Sequence, residues 1–184
     1  MRALPTGLAG ALLLEPTVHA DDRGWFTESW NQRTLAELGV EAVFVQDNHA
    51  QSARGVLRGL HWQNSPSQAK LVRCVRGRIF DIIVDLRRAS PLRGRWFGVE
   101  LNEANRLQLW IPHGFAHGYL SLSEGAEVCY KATSYWNRDG ERGLRWDDPA
   151  LAIAWPTSGT APLVNQRDGS WPLLDPSNQD AWAD

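Results

Sequence analysis

The sequence has few cysteines, no long apolar run and no large excess of charge. Its two cysteines, Cys74 and Cys129, are too few for a disulfide scaffold and lack the spacing of metal ligands, so we expect buried free thiols. No apolar run reaches the roughly 18 residues that a membrane-spanning helix needs, so no membrane association is expected. The net charge is only −2 at pH 7, which gives no reason to expect a nucleic-acid partner.

The chain has the size and composition of one folded domain. It has 184 residues, of which 43% are hydrophobic and 22% are charged, so it can bury a core and is not a disordered chain. We predict a single domain over residues 1–184, with an irregular tail from about residue 156. The ten tryptophans suit a wide barrel or sandwich core, and some could stack on ligand rings.

The N-terminus has some features of a secretory signal. Arg2 precedes an apolar stretch at 3–14, and the residues at 18–20 resemble a cleavage site. A proline and two glycines interrupt the stretch, and only one basic residue precedes it. We therefore expect no signal peptide and a cytoplasmic protein.

Short strand-like segments dominate the rest of the chain. Asn31 is predicted to cap a short helix that ends before Gly39. Many short strands at near-regular spacing, with little helix, argue for an all-β antiparallel sandwich or barrel. The predicted strands are 26–30, 43–46, 56–63, 70–76, 78–86, 96–101, 106–111, 116–122 and 127–133.

Several predicted strands carry polar side chains. A small barrel usually fills its interior with apolar side chains, so a polar lining indicates a ligand cavity. Strict alternation would place Arg58 and His61 on opposite faces, but a bulge at Gly59 would let them share one site. The polar residues in or beside the strands are Gln46, Asn48, Arg58, His61, Gln63, Lys70, His117 and Tyr130.

A metal site is one interpretation of this lining. Residues 112–117 match half of the metal-binding cupin pattern, PxGxxH. The other half needs two histidines one residue apart and a nearby carboxylate, whereas this chain has His61, Gln63 and then Lys70. Gln63 is a poor ligand for a transition metal, and Lys70 would repel the ion. The pattern therefore favours a cupin fold and a site without metal.

Proton transfer next to a ketone is the other interpretation. His61 could act as the base, and Lys70 could stabilise the oxyanion that develops when the proton leaves. Epimerisation also needs an acid on the opposite face, for which Tyr130 is suitable. A carboxylate such as Asp168 could fix the tautomer of His61.

Five segments, 15–32, 44–63, 68–87, 109–124 and 129–137, resemble the dTDP-4-dehydrorhamnose 3,5-epimerases, and the likeness runs from about residue 12 to 156. The resemblance implies a cupin-type jelly-roll barrel with a few short helices, a homodimer, and no metal or organic cofactor. It implies epimerisation of dTDP-4-dehydro-6-deoxy-D-glucose at carbons 3 and 5 to dTDP-4-dehydro-L-rhamnose. That product feeds dTDP-L-rhamnose synthesis, which serves cell-surface polysaccharide.

The resemblance also assigns residue roles. His61 matches the family's proton acceptor and Tyr130 its proton donor. Lys70 matches the residue that stabilises the enolate, and Asp168 the carboxylate paired with the base. Trp136 stands where an aromatic ring stacks on thymine. The remaining expected substrate contacts, which include Gln63 from the polar lining, are Arg23, Glu28, Gln46, Asp47, Asn48, Arg58, Gln63, His117, Glu141 and Arg167.

The resemblance places two residues across a dimer interface and shows two departures from the family pattern. Arg23 and Glu28 are expected to act across the dimer, through exchanged N-terminal strands. Arg167 stands where many relatives have lysine, and Trp62 where phenylalanine or tyrosine is usual.

Three alternative functions stay open beside the 3,5-epimerase. They are a mono-epimerase that acts at carbon 3 or carbon 5 of a related dTDP sugar in an antibiotic-sugar pathway, a metal-dependent cupin enzyme, and a non-catalytic sugar-binding cupin.

Overall fold

The chain folds almost entirely into short strands that end in tight turns. The computed structural model describes residues 1–157, 159–175 and 177, and within them it has thirteen strands and two short helices. The elements are β1 Arg2–Pro5, β2 Leu12–Glu15, β3 Val18–Asp21, β4 Gly24–Thr27, α1 Gln32–Glu37, β5 Gln46–Ser52, β6 Leu57–Gln63, β7 Lys70–Arg76, β8 Arg78–Asp85, β9 Trp96–Asn102, β10 Gln108–Ile111, β11 Phe115–Ser121, β12 Ala126–Ala132, β13 Glu141–Gly143 and α2 Gln166–Gly169.

The strands form two antiparallel sheets and a separate hairpin. The first sheet has the order β1-β2-β10-β7-β12-β5, and the second has the order β13-β6-β11-β8-β9. Strands β3 and β4 pair only with each other in the described part of the chain. The predicted all-β, cupin-type jelly roll with a few short helices is thereby confirmed.

The core lies between the two sheets. Val72 and Leu109 from the first sheet and Ile83 and Leu101 from the second are fully buried in one cluster. Burying an aliphatic side chain of this size contributes about 1.5–3 kcal/mol each before conformational entropy is counted. Side chains alternate between the two faces of a strand, so these residues point inward. A polar residue an even number of positions from one of them on the same strand also points between the sheets.

Glycine at position 59 brings β6 and β11 unusually close. A Cβ there would lie 2.6 Å from the Cα of Gly118 and 2.7 Å from the carbonyl oxygen of His117. Gly59 also has φ +116°, which L side chains rarely adopt. The pairing of β6 with β11 shifts between His117 and Tyr119, with one extra residue on β6. The predicted irregularity at Gly59 is confirmed, and it turns both Arg58 and His61 toward one cavity.

Several predicted element boundaries differ from the structure. The predicted strand 43–46 is wrong except at its last residue, since β5 begins at Gln46 and Val43 is exposed without a strand partner. The N-terminal stretch interpreted above as signal-like forms β1 and β2, and Leu14 in β2 is fully buried. The capped helix is confirmed, because the Asn31 side chain accepts hydrogen bonds from two backbone N–H groups at the start of α1. None of the helices in the described residues has the length and apolarity to cross a membrane.

The described residues of the tail after residue 156 are mostly irregular, and they are anchored to the rest of the fold. The Leu57 N–H donates to the Leu163 carbonyl, and the Arg145 N–H donates to the Pro172 carbonyl. Between these anchors, Asn165 caps α2 by accepting from the Asp168 N–H at 2.7 Å. The tail therefore holds α2 against β6.

Candidate active site

A cavity of about 310 Å³ opens between the two sheets. The first sheet contributes side chains from β5, β7 and β12, and the second contributes side chains from β6, β11 and β13. The lining residues are Ala50, Arg58, His61, Lys70, His117, Gly118, Tyr119, Tyr130, Trp136, Glu141 and Arg167. Three of the four predicted catalytic residues thus face one space, and the fourth lies directly behind it.

That fourth residue, Asp168, is bonded to His61. Its Oδ1 atom lies 2.8 Å from His61 Nε2, and its Oδ2 accepts from the Gly59 N–H at 3.1 Å. The Asp168 side chain is 1% exposed. Burial alone would raise the pKa of Asp168, but the bonds from His61 and Gly59 outweigh it, so the pKa lies below its ordinary value. An ionised carboxylate only accepts, so Nε2 carries the proton and Nδ1 is the ring nitrogen that can take another.

Lys70 lies across the cavity from β6, with its ammonium 6.0 Å from the centre of the Tyr130 ring. Burial lowers the pKa of Lys70 to about 8, while the charges of Glu141 and Asp81 oppose this shift. Lys70 is therefore a cation at pH 7 in a site that hydrates it poorly. Such a cation is well suited to stabilise a developing oxyanion.

Tyr130 is a protonated acid throughout the neutral range. It lies in β12, opposite Asn48 of β5, and its ring faces the cavity. Burial raises the pKa of its hydroxyl, and the nearby charge of Glu141 raises it further. Tyr130 comes from the first sheet, whereas His61 comes from the second, so a molecule held in the cavity lies between them.

Arg58 is held by a short chain of hydroxyl groups. Its Nε donates to Ser52 Oγ at 3.1 Å, and Ser52 Oγ lies 3.1 Å from the Tyr119 hydroxyl. A second guanidinium nitrogen donates to the carbonyl of Gln51. These bonds fix the guanidinium at the cavity wall, where it can bind an anionic group.

His117 belongs to a second histidine–carboxylate pair that sequence reasoning missed. His117 is opposite His61 in the β11–β6 pairing, and its Nε2 lies 2.9 Å from Oδ1 of Asp81. Asp81 is fully buried in β8, and its Oδ2 has no hydrogen-bond partner among the described residues. A carboxylate in the middle of an otherwise apolar strand was the available signal, since buried charges are rare unless they are paired.

Gln63 supports the cavity rim rather than lining the cavity. Its side-chain NH₂ donates to the carbonyls of Pro66 and Tyr135, and its Oε1 accepts from the Asn137 N–H at 2.7 Å. Its NH₂ group and one acceptor position of Oε1 are engaged within the protein, which gives Gln63 a structural role at the rim, and its contact with substrate stays a prediction. These bonds hold the turn that carries Trp136.

The rim residues Trp136 and Gln46 are linked. The backbone N–H of Trp136 donates to Gln46 Oε1 at 2.9 Å, and Gln46 Nε2 donates to Asn48 Oδ1 at 2.9 Å. The Trp136 ring is 54% exposed at the cavity mouth, where a planar ligand ring could stack on it. At the same mouth, Arg167 forms an ion pair of 2.7 Å with Glu141.

Gln46, Asn48 and Gln63 are also absent from the lining itself, and three further predicted contacts lie away from both the cavity and its rim. The Arg23 side chain is 90% exposed in the β3–β4 hairpin, where it pairs with Asp21. Glu28 follows that hairpin and accepts from Asn31 beside α1. Asp47 lies on the other side of β5, paired with Lys131 at 2.8 Å.

The sequence of this chain is similar to those of the dTDP-4-dehydrorhamnose 3,5-epimerases. The model of the dTDP-4-dehydrorhamnose 3,5-epimerase family matches residues 5–176. The dTDP-4-dehydrorhamnose 3,5-epimerase of Salmonella typhimurium is 49% identical over 177 residues, covering 95% of this chain and 96% of that protein. The enzyme of the same name from Pseudomonas aeruginosa is 51% identical over 169 residues, covering 91% and 93%.

The likeness extends to the three-dimensional structure. The fold is similar to that of dTDP-6-deoxy-D-glucose-3,5-epimerase from Legionella pneumophila, determined in complex with dTDP-4-keto-L-rhamnose. The TM-score is 0.94 at 39% sequence identity, covering 99% of this chain and 97% of that one.

Proposed function

The chain belongs to the dTDP-4-dehydrorhamnose 3,5-epimerase family and is an isomerase, and we propose that its cavity performs the family's reaction with the residues described above. The substrate is dTDP-4-dehydro-6-deoxy-D-glucose and the product is dTDP-4-dehydro-L-rhamnose. The observation that carries the assignment of residues is the His61–Asp168 pair, which faces Lys70 and Tyr130 across one cavity.

Proton removal is the first step. His61 Nδ1 takes the proton from the carbon next to the C4 ketone, and the resulting imidazolium is stabilised by the buried charge of Asp168. The electron pair of the C–H bond moves into an enolate, whose oxygen becomes negative. Lys70 stabilises that oxygen as a cation in a poorly hydrated site, which lowers the barrier more than the same charge would in water.

Proton return from the opposite face completes each inversion. Tyr130 lies on the sheet opposite His61, and its raised pKa keeps it protonated at neutral pH. The hydroxyl donates its proton to the carbon, and the ketone re-forms as the enolate electrons return. His61 then releases its proton to solvent and Tyr130 takes one up from solvent, which resets both groups. The same cycle at the second neighbour of the ketone gives epimerisation at both carbons 3 and 5.

Substrate binding uses the rest of the lining. Arg58 and Arg167 supply guanidinium groups for the diphosphate, and Trp136 offers its exposed ring to the thymine. His117 supplies a hydrogen bond to the sugar from its paired position beside Asp81. Gln46 and Asn48, whose side chains are hydrogen-bonded to each other, bind the substrate at the same rim.

We further propose a homodimer with exchanged N-terminal strands. The β3–β4 hairpin leaves Trp25 58% and Phe26 70% exposed, and it pairs with neither sheet of its own chain in the described part. Adjacent large apolar side chains at the surface are typical of interfaces. Docking of the hairpin on a second copy would bury them and would bring Arg23 and Glu28 to the partner's site.

Deuterium uptake tests the reaction. Incubation of dTDP-4-dehydro-6-deoxy-D-glucose with the enzyme in deuterated water is expected to place deuterium at both carbons 3 and 5, because each inversion exchanges one proton with solvent. Proton NMR and mass spectrometry of the product measure both positions. Uptake at one carbon alone would make the chain a mono-epimerase, and turnover that is lost to a chelator would make it a metal-dependent cupin.

Hybrid dimers test the strand exchange. Arg23→Ala and His61→Asn chains are each expected to be inactive alone, but mixing them by unfolding and refolding should restore about a quarter of wild-type activity. Half of the dimers are then hybrids, and one of the two sites in each hybrid has both native residues. If Arg23 served its own chain, mixing would restore nothing. Leu163→Ser replaces an exposed leucine outside the hairpin and serves as a control that should leave activity unchanged.

A further inference from the structure

The indole of Trp171 packs against the proposed base from outside the cavity. Trp171 follows α2, the helix that carries Asp168. Its ring meets the His61 ring edge to face, with centroids 6.2 Å apart and planes at 69°. Trp171 is absent from the cavity lining, so it contacts His61 from the side away from substrate.

Gly143 provides the space for this ring. A Cβ at position 143 would lie 2.3 Å from Cε2 and 2.4 Å from Cδ2 of Trp171, so the indole lies directly on the glycine backbone. Gly143 is also the residue opposite His61 in the β13–β6 pairing. Its backbone is not in the left-handed region, so glycine is required here by packing and not by conformation.

Packing, and not a hydrogen bond, holds the Trp171 indole in place. Its Nε1 atom is buried and has no hydrogen-bond partner in the part of the chain that the structure describes. Burying an N–H group without a partner is unfavourable, so ring packing must outweigh that loss. A ring of similar area without the N–H should therefore keep most of the contact.

One hydrogen bond leaves the His61 ring incompletely fixed. The bond from Nε2 to Asp168 sets the tautomer but permits the ring plane to tilt about the bond axis. A tilt displaces Nδ1 from the carbon that it must deprotonate, and a displacement of about 1 Å can lower a rate by about 100-fold. The indole edge restricts that tilt, and it also covers the pair of side chains from the solvent side.

We propose that Trp171, seated on Gly143, is a positioning residue that fixes the plane of the His61 imidazole for proton transfer. This inference rests on the proposed role of His61 as the base. It also explains why the tail is anchored on both sides of α2, since one segment supplies the carboxylate and the indole to the same ring.

The test uses four variants of the full-length enzyme. Trp171→Ala is expected to lower kcat about tenfold or more while KM changes less than about twofold, because only the alignment of the base is lost. Trp171→Phe is expected to keep most of the activity. Gly143→Ala should lower kcat as Trp171→Ala does, since it displaces the indole. In the double variant Gly143→Ala/Trp171→Ala, the added methyl group should have no further effect on kcat.

Affinity for dTDP, measured by calorimetry, shows whether each variant keeps its folded site. If Trp171→Ala fails to fold, Gly143→Ala carries the same test with the indole still present. Unchanged kcat in both Trp171→Ala and Gly143→Ala would overturn the inference. Additive losses of kcat in the double variant would also overturn it. Activity that survives in His61→Asn would instead overturn the proposed function, so the two failures are distinguishable.

Discussion

Replacing His61 with asparagine is expected to lower kcat/KM by about 1,000-fold, within the range of roughly 100- to 10,000-fold associated with a general base. Asparagine keeps a polar side chain that can donate to Asp168 but cannot accept a proton at neutral pH. The buried carboxylate therefore keeps a partner, and the loss falls on the chemistry. A steady-state assay coupled to reduction of the product ketone measures the change.

The reason for the size of the effect lies in the pair with Asp168. The Asp168 carboxylate is 1% exposed and accepts the hydrogen bond from Nε2, so Nδ1 is the nitrogen that takes the substrate proton. Without the imidazole, the other histidine in the described cavity lining is His117, which comes from β11, is bonded to Asp81 and is assigned above to sugar binding. Exchange of substrate protons with deuterated solvent should therefore stop at both carbons together.

Two variants control for this prediction. His113→Asn alters an exposed histidine that is bonded to Ser67 outside the cavity lining, and it should leave turnover unchanged. Asp168→Asn keeps the shape of the carboxylate but removes its charge, so it should lower kcat while dTDP still binds. Unchanged turnover in His61→Asn would indicate a non-catalytic sugar-binding protein or another base.

The strands and their inward polar residues could largely be predicted from the sequence. Alternation in β6, β7 and β12 indicates which side chains point between the sheets, and the positions of His61, Lys70 and Tyr130 follow from it. The capped helix α1 was also predictable, because Asn31 and Gly39 mark its ends locally. These features depend on neighbours in the chain.

The rest depends on contacts between distant residues. Residues 43–45 have strand-like composition, but they lie before the pairing of β5 begins. The sequence indicates a polar Gln63 beside the cavity, but it does not show the hydrogen bonds of that side chain to residues 66, 134, 135 and 137. Trp171 and Asp81 act on histidines 110 and 36 residues away, and no local pattern of period 2 or 3.6 reports such contacts.

Replacing Lys70 with methionine is expected to lower kcat/KM by about 100- to 1,000-fold, comparable to the loss of one oxyanion-stabilising group. Methionine has a similar length and no charge, so the enolate oxygen would lose its cation while the cavity wall stays filled. Lys70→Arg is the matched variant. It keeps the charge but changes its geometry, and it should retain more activity than Lys70→Met.

The pH dependence identifies Lys70 independently of the mutation. Burial lowers the pKa of Lys70 to about 8, and only the protonated form stabilises the enolate, so wild-type kcat/KM should fall as the pH rises through about 8. Tyr130 does not explain this fall, because burial raises its pKa above the ordinary value of about 10. In Lys70→Met, the remaining activity should lack the alkaline limb near pH 8.

Stability should change in the opposite direction to activity. Lys70 has a lower pKa folded than unfolded, so between about pH 8 and the unfolded value of 10.5 the unfolded chain binds more protons, and stability rises with pH in that window. Below pH 8 the folded protein must hold a poorly hydrated charge, and Lys70→Met removes that requirement. At pH 7 the variant should therefore show a higher free energy of unfolding in urea, together with its large loss of turnover. A Lys70→Met variant that lost both stability and activity would indicate that Lys70 is a structural cation. A variant that gains stability but loses turnover identifies a charge that is held in the cavity for catalysis.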